Sequence, residues 1–178
     1  MDMNVSINNR FQEWLRRYAQ VHPDKEFIYS INQEKSVTYG EADQVCRQIG
    51  QFLRQRGFVA NDRVAIMSNN SIEHLLTYVG AMEYGATACT IHVEMNSLYI
   101  NEIIDTVKPK IILFEEDAEL DLSSINDVEK LPLGLVGEAA AHTFFGQVGE
   151  INAEAIEIPV NIPEDIASIF YTSGTSSK

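Results

Sequence analysis

Apolar residues along this chain recur at two alternating periods. Phe11, Trp14, Leu15 and Tyr18 fall at i, i+3, i+4 and i+7, which predicts an amphipathic helix ended by His22-Pro23. Two short β-type runs follow, 26–31 and 36–39, split by a polar turn at 32–35. Thr38 and Glu41 have the spacing of a capping box, in which hydroxyl and carboxylate satisfy each other's orphan backbone N–H groups. They open a helix striped by Ala42, Val45, Cys46, Ile49, Phe52 and Leu53 and closed at Gly57.

Beyond Gly57 the period switches repeatedly. Residues 63–67 form an apolar run. Asn70, with Glu73 three positions on, is expected to cap a helix striped by Ile72, Leu75, Leu76, Val79 and Met82 and closed by Gly85. A strand over 86–91, a helix carrying Ile100, Ile103, Ile104 and Val107 up to Lys108-Pro109, and a strand over 111–114 come next. This β-α-β-α-β rhythm, with near-continuous apolar strands, predicts an α/β fold: a mostly parallel sheet flanked by helices. Later, 133–136 is a candidate strand, 137–150 with its glycines reads as a mobile connection, and 166–171 is a last strand.

Composition bounds the class. Of 178 residues, 45% are apolar and 22% charged, enough hydrophobic material for a core and ordinary for a globular domain. The 13 Lys and Arg stand against 26 Asp and Glu, a net charge of −13. Phosphate-backbone binding depends on clustered cations, so no nucleic-acid partner is expected and anionic membrane is disfavoured. No apolar run approaches the roughly 20 residues of a membrane span, and the start lacks the apolar core of a secretory signal. A cytoplasmic location is therefore expected. Cys46 and Cys89, isolated in apolar segments, read as buried reduced thiols. Acidic side chains concentrate in residues 64–178, which carry 4 basic and 18 acidic groups. Their densest run, Glu115, Glu116, Asp117, Glu119 and Asp121, lacks the glycine and closing glutamate of a calcium loop and reads as a solvated turn.

One segment carries chemistry. The last strand opens into Thr172, Ser173, Gly174, Thr175, Ser176 and Ser177, six small residues of which five bear hydroxyls. Such a loop suits an anion: Gly174 lets the backbone approach a phosphate, successive N–H groups can form a nest, and the hydroxyls add donors. In open parallel sheets, ligands bind beyond the carboxyl ends of the strands, where this loop would sit. A flexible Ser/Gly linker is the competing reading. The Walker, β-lactamase, nucleophile-elbow and H-E-x-x-H patterns are absent, and the four histidines are dispersed. No catalytic or metal-ligating residue is singled out.

The string Phe170-Tyr171-Thr172-Ser173-Gly174-Thr175-Ser176-Ser177-Lys178 resembles the phosphate-binding signature, YTSGTTGxPK, of the AMP-binding, adenylate-forming superfamily. Thr38-Tyr39, the run Asn61 to Ile66, Asn70 to Glu73, Gly85-Ala86 and Pro163 to Ala167 stand in the order of that family's amino-terminal region. Lys178 aligns with the variable position before Pro rather than with the signature lysine. Ser177 replaces the usual Gly, and His92 to Asn96 stands where relatives often carry a Pro-containing turn.

The resemblance implies that residues 1–178 are the amino-terminal part of an AMP-binding domain, cut within the phosphate loop and lacking the carboxy-terminal domain. It implies an acyl-CoA synthetase parent: a carboxylic acid and ATP·Mg2+ give an acyl-adenylate, whose acyl group passes to coenzyme A. Residues 172–177 would hold the pyrophosphate portion of ATP, and the chain alone would be inactive. Two rival readings are an adenylation domain that loads a carrier protein and a non-catalytic α/β interaction module. The acid substrate and the oligomeric state, homo-oligomer included, stay open.

Overall fold

The computed structural model describes residues 11–153 and 164–171. Five strands form one all-parallel sheet: β3 (Arg63–Met67), β4 (Thr87–Thr90), β5 (Ile111–Phe114), β6 (Glu129–Pro132) and β7 (Ser168–Phe170), in the order β6-β5-β3-β4-β7. A separate antiparallel hairpin joins β1 (Glu26–Ser30) to β2 (Lys35–Thr38). The helices are α1 (Phe11–Val21), α2 (Tyr39–Gln55), α3 (Ile72–Tyr84), α4 (Ser97–Val107) and the short α5 (Phe144–Gly149). The expected α/β architecture is present.

Alternation along the central strands sorts the core into two layers. Val64, Ile66, Ala88, Ile111 and Leu113 point to one face, where they pack with α2, α3 and α5. Ala65, Met67, Cys89 and Ile112 point to the other, against Ile100, Ile103, Ile104 and Val107 of α4. Burial on both faces explains why these strands read as unbroken apolar runs.

The Thr38–Glu41 capping box forms as its spacing predicts, with Glu41 N–H donating to Thr38 Oγ1 (3.3 Å) and Thr38 N–H to Glu41 Oε2 (2.8 Å). The start of α3 differs from expectation. Ser71, not Asn70, is the N-cap, its Oγ accepting from His74 N–H at 3.0 Å. Glu73 is drawn into a tertiary clasp instead: Gln33 Nε2 (2.7 Å) and Val136 N–H (3.2 Å) donate to its carboxylate, while Gln33 Oε1 accepts from Ile72 N–H (2.8 Å).

Two further expectations are corrected downstream of β5. The strand lies at Glu129–Pro132, not at 133–136, because residues 129–132 pair with 111–114 of β5. The supposed mobile connection 137–150 contains α5, whose Phe144, Phe145 and Val148 are buried. Phe144 meets Phe52 of α2 edge-to-face at 4.8 Å, so tertiary packing outweighs the helix-weakening glycines. The acidic run after β5 is a turn in which Glu116, Asp117, Glu119 and Asp121 are exposed. Cys46 and Cys89 are buried free thiols.

Candidate functional site at the carboxyl edge of the sheet

All five strands of the sheet run the same way, so the segments that follow them emerge on one edge. β7 takes its place through paired residues Ala88–Ser168, Cys89–Ile169 and Thr90–Phe170. Its entry is anchored by side chains. Thr87 Oγ1 donates to the Ile166 carbonyl (2.5 Å), and Asn61 Oδ1 accepts from Ile166 N–H (2.9 Å). Asn61 itself holds a left-handed φ of 65°, a conformation that asparagine tolerates better than most residues. It belongs to one of the stretches that carried the family resemblance, and through its hydrogen bond to Ile166 it fixes the start of β7.

At the exit of β7, the Phe170 ring packs on Tyr78 of α3 with centroids 5.8 Å apart, yet Phe170 is 62% exposed. Tyr171 rests on the α4-side core, and partial burial, then the neighbouring Cys89 thiol, hold its phenol above the ordinary value. Thr172, Ser173, Gly174, Thr175, Ser176 and Ser177, and also Lys178, lie outside the described residues. The described chain therefore ends at Tyr171, on the carboxyl edge, with the hydroxyl-rich run next in sequence.

The same edge gathers several polar groups that local sequence patterns do not single out. Ser68, just past β3, lies 2.8 Å from His74 Nδ1. Burial lowers the His74 pKa below the usual imidazole value, while the Ser68 hydrogen bond and the Glu115 charge pull the other way. Both the backbone N–H and the amide of Asn69 donate to Glu115 Oε2, at 2.7 and 3.0 Å. Glu115 is thus tied to its neighbour and differs from the other acids of its run. After β4, Met95 N–H closes a turn onto the His92 carbonyl (3.2 Å), and Asn96 caps α4 through Leu98 N–H (2.9 Å). This is the local structure that stands at the family's Pro-containing turn.

Both α3 and α4 follow their strands at this edge, so their positive dipole ends lie on the side from which β7 exits, with Ile72 and His74 N–H donated to Gln33 and Ser71 and Leu98 N–H to Asn96. Chemically, the edge offers hydroxyl, amide and neutral imidazole groups and helix N-termini. Among the described residues, no three His, Cys, Asp or Glu side chains converge as a metal site, and no helix is long and apolar enough to cross a membrane.

The profile of the family described as "AMP-binding enzyme" matches residues 15–178. Among curated proteins, the chain is 23% identical to gramicidin S synthase 2 of Brevibacillus brevis over 178 residues, which is 99% of this chain and 4% of that protein. It is 28% identical over 152 residues to the 3-hydroxybenzoate–CoA/4-hydroxybenzoate–CoA ligase of Thauera aromatica, covering 82% of this chain and 29% of the ligase. The chain therefore spans less than a third of the length of either relative. Among solved structures, the luciferase-like enzyme of the mealworm Zophobas morio superposes with a TM-score of 0.79 at 22% identity, covering 94% of this chain and 40% of that one.

Proposed function

Since the chain belongs to the AMP-binding enzyme family, we propose that it supplies the phosphate-holding edge of an ATP-dependent carboxylate–CoA ligase. In this reading, a carboxylate oxygen attacks the α-phosphorus of ATP·Mg2+, pyrophosphate leaves, and the acyl-adenylate then yields a thioester with coenzyme A and releases AMP. Hydroxyls and N–H groups of residues 172–177 hold the β- and γ-phosphates in line while charge moves onto the leaving pyrophosphate. The groups that grip adenine, ribose and acyl chain come from other parts of a longer protein. One observation carries the reading: β7 ends at the carboxyl edge of a parallel sheet, with only Tyr171 between it and the hydroxyl run.

The test is Thr175→Ala in the complete protein. Losing a hydrogen bond to a charged oxygen costs about 1.5–3 kcal/mol, which is roughly a 10- to 150-fold slower adenylation. Substrate-dependent pyrophosphate exchange measures it, and an unchanged rate refutes the role of Thr175.

The match of nearly the whole chain to gramicidin S synthase 2 favours a second reading, in which a carrier protein takes the acyl group. The two readings separate when the complete protein is offered ATP, a panel of aryl, fatty and amino acids, and either coenzyme A or a phosphopantetheinylated carrier. Whichever thiol is acylated identifies the acceptor.

A further inference from the structure

Away from the sheet edge, α1, α2 and α3 meet around two carboxylates. Asp43 of α2 is 7% exposed and Glu83 of α3 is 9% exposed. Arg47 donates through Nη2 to Asp43 Oδ2 at 2.9 Å and through Nη1 to the Ala153 carbonyl at 2.9 Å. From α1, Arg16 Nε stands 4.0 Å from Asp43 Oδ1, too far for a hydrogen bond. Asp43 Oδ1 and Glu83 Oε1 are both buried without a hydrogen-bond partner. On α2, the Cys46 thiol donates to the Leu76 carbonyl, 3.9 Å away.

Two orphaned acceptors in one buried cluster are an unstable arrangement if both carboxyls are charged. A single proton mends it by turning a Glu83 oxygen into a donor and removing one of two like charges. We infer that Glu83 is a neutral acid at neutral pH, so that the Asp43–Glu83 pair holds one proton and forms a proton-dependent clamp on α1 and on residues 151–153. Loss of the proton leaves Glu83 competing with Asp43 for Arg16 and Arg47. Arg47 is also the group that holds the Ala153 carbonyl, next to Gln48 Nε2 on the Ile151 carbonyl at 2.7 Å. The junction thereby couples the charge of a buried carboxyl to the segment leading toward β7.

The direction of the Glu83 equilibrium agrees. Burial first, and the Asp43 charge second, raise its carboxyl from 4.5 to about 8, against the opposing pull of Arg16, the Leu15 N–H and Arg47. The folded pKa exceeds the unfolded one, so the contribution is fully present below the unfolded value and is lost as pH rises through the folded value. Between these limits the native chain holds a proton that the unfolded chain does not. The folding equilibrium constant should therefore fall by about tenfold per pH unit and level off above the folded value.

The experiment is a carbon-13 carboxyl NMR titration of the chain labelled at glutamate, paired with urea unfolding of the wild type and Glu83→Gln from about pH 6 to 9. One glutamate resonance should titrate near pH 8 and be missing from Glu83→Gln, whose stability should lack the wild-type slope over this range. Trp14, the single tryptophan, sits on α1 against Phe27 and Tyr39, and its fluorescence should follow the same midpoint. All glutamates titrating below about pH 6, or an unchanged slope in Glu83→Gln, overturns the inference. If Glu83→Gln does not fold, the wild-type NMR titration alone decides.

Discussion

Gly80 is where α3 crosses α2, and replacing it with alanine should change stability with a sign set by one neighbour. A Cβ at this position would lie 2.9 Å from Ile49 Cδ1, 3.0 Å from its Cβ and 3.1 Å from its Cγ2. Carbon pairs prefer about 3.5–4.0 Å. Rotating Ile49 about χ2 moves Cδ1 but leaves Cβ and Cγ2 in place, so relief requires the helices to separate. Such overpacking costs about 1–3 kcal/mol, whereas alanine in a helix interior gains about 1 kcal/mol over glycine. Gly80→Ala should therefore destabilise the chain by about 1 kcal/mol. In an Ile49→Ala background, Cδ1 and Cγ2 are gone and only the 3.0 Å Cβ contact remains, so the same substitution should be close to neutral, a coupling of about 1 kcal/mol. Urea unfolding followed by far-UV circular dichroism measures all four corners of this cycle. Stabilisation in the wild-type background, or an equal effect in both backgrounds, would refute the steric account.

Two other outcomes follow from local structure. Ser71→Ala should cost about 1 kcal/mol in urea unfolding while Asn70→Ala costs almost nothing, because Ser71 Oγ is the group that accepts from His74 N–H; the reverse order would restore Asn70 as the cap. Burial pushes the Cys89 thiol up to about 11 and the Cys46 thiol well above its ordinary value. At about pH 8, alkylation of the native chain should be at least ~100-fold slower than in denaturant, and rapid labelling of either thiol without unfolding would contradict their burial.

The elements readable from sequence are those whose signals are local. Thr38 and Glu41 are three residues apart and need nothing else to form their box. The central strands and α2, α3 and α4 declare themselves by period alone, because their buried faces contact a core that repeats at that period. The misread elements depend on distant partners. Glu73 has the spacing for a cap box with Asn70, but Gln33 and Val136, 40 and 63 residues away, claim its carboxylate. β6 is Glu-Lys-Leu-Pro, a poor strand by composition, and exists because the edge of β5 supplies parallel hydrogen bonds. In α5, Gly146 sits where a Cβ would fall 1.9 Å from the Ala140 carbonyl oxygen, so a residue that looks like a helix breaker is required by a close backbone approach. At the candidate site, the carboxyl-edge placement followed from the α/β rhythm. The Ser68–His74 pair and the Asn61 anchor did not, since each joins residues that only the fold brings together.

The proposed triphosphate site poses an electrostatic problem for so acidic a chain. With a net charge of −13, the chain repels ATP at long range, so attraction has to come from groups within hydrogen-bond reach. Sheet order decides how much the nearest acids matter. The exposed run Glu116 to Asp121 follows β5, which stands three strands from β7 in the order β5-β3-β4-β7. At about 4.8 Å per strand this is roughly 14 Å, nearly twice the screening length of about 8 Å at physiological salt. Glu115, the first acid after β5, is spent on Asn69. A phosphate held just past β7 would therefore have that acidic turn largely screened, with Glu94, exposed in the turn after the neighbouring β4, as the acid closest to it in sheet order. In the proposed function, the placement of β7 three strands from that turn thus favours an anion site to which residues 172–177 contribute no lysine or arginine.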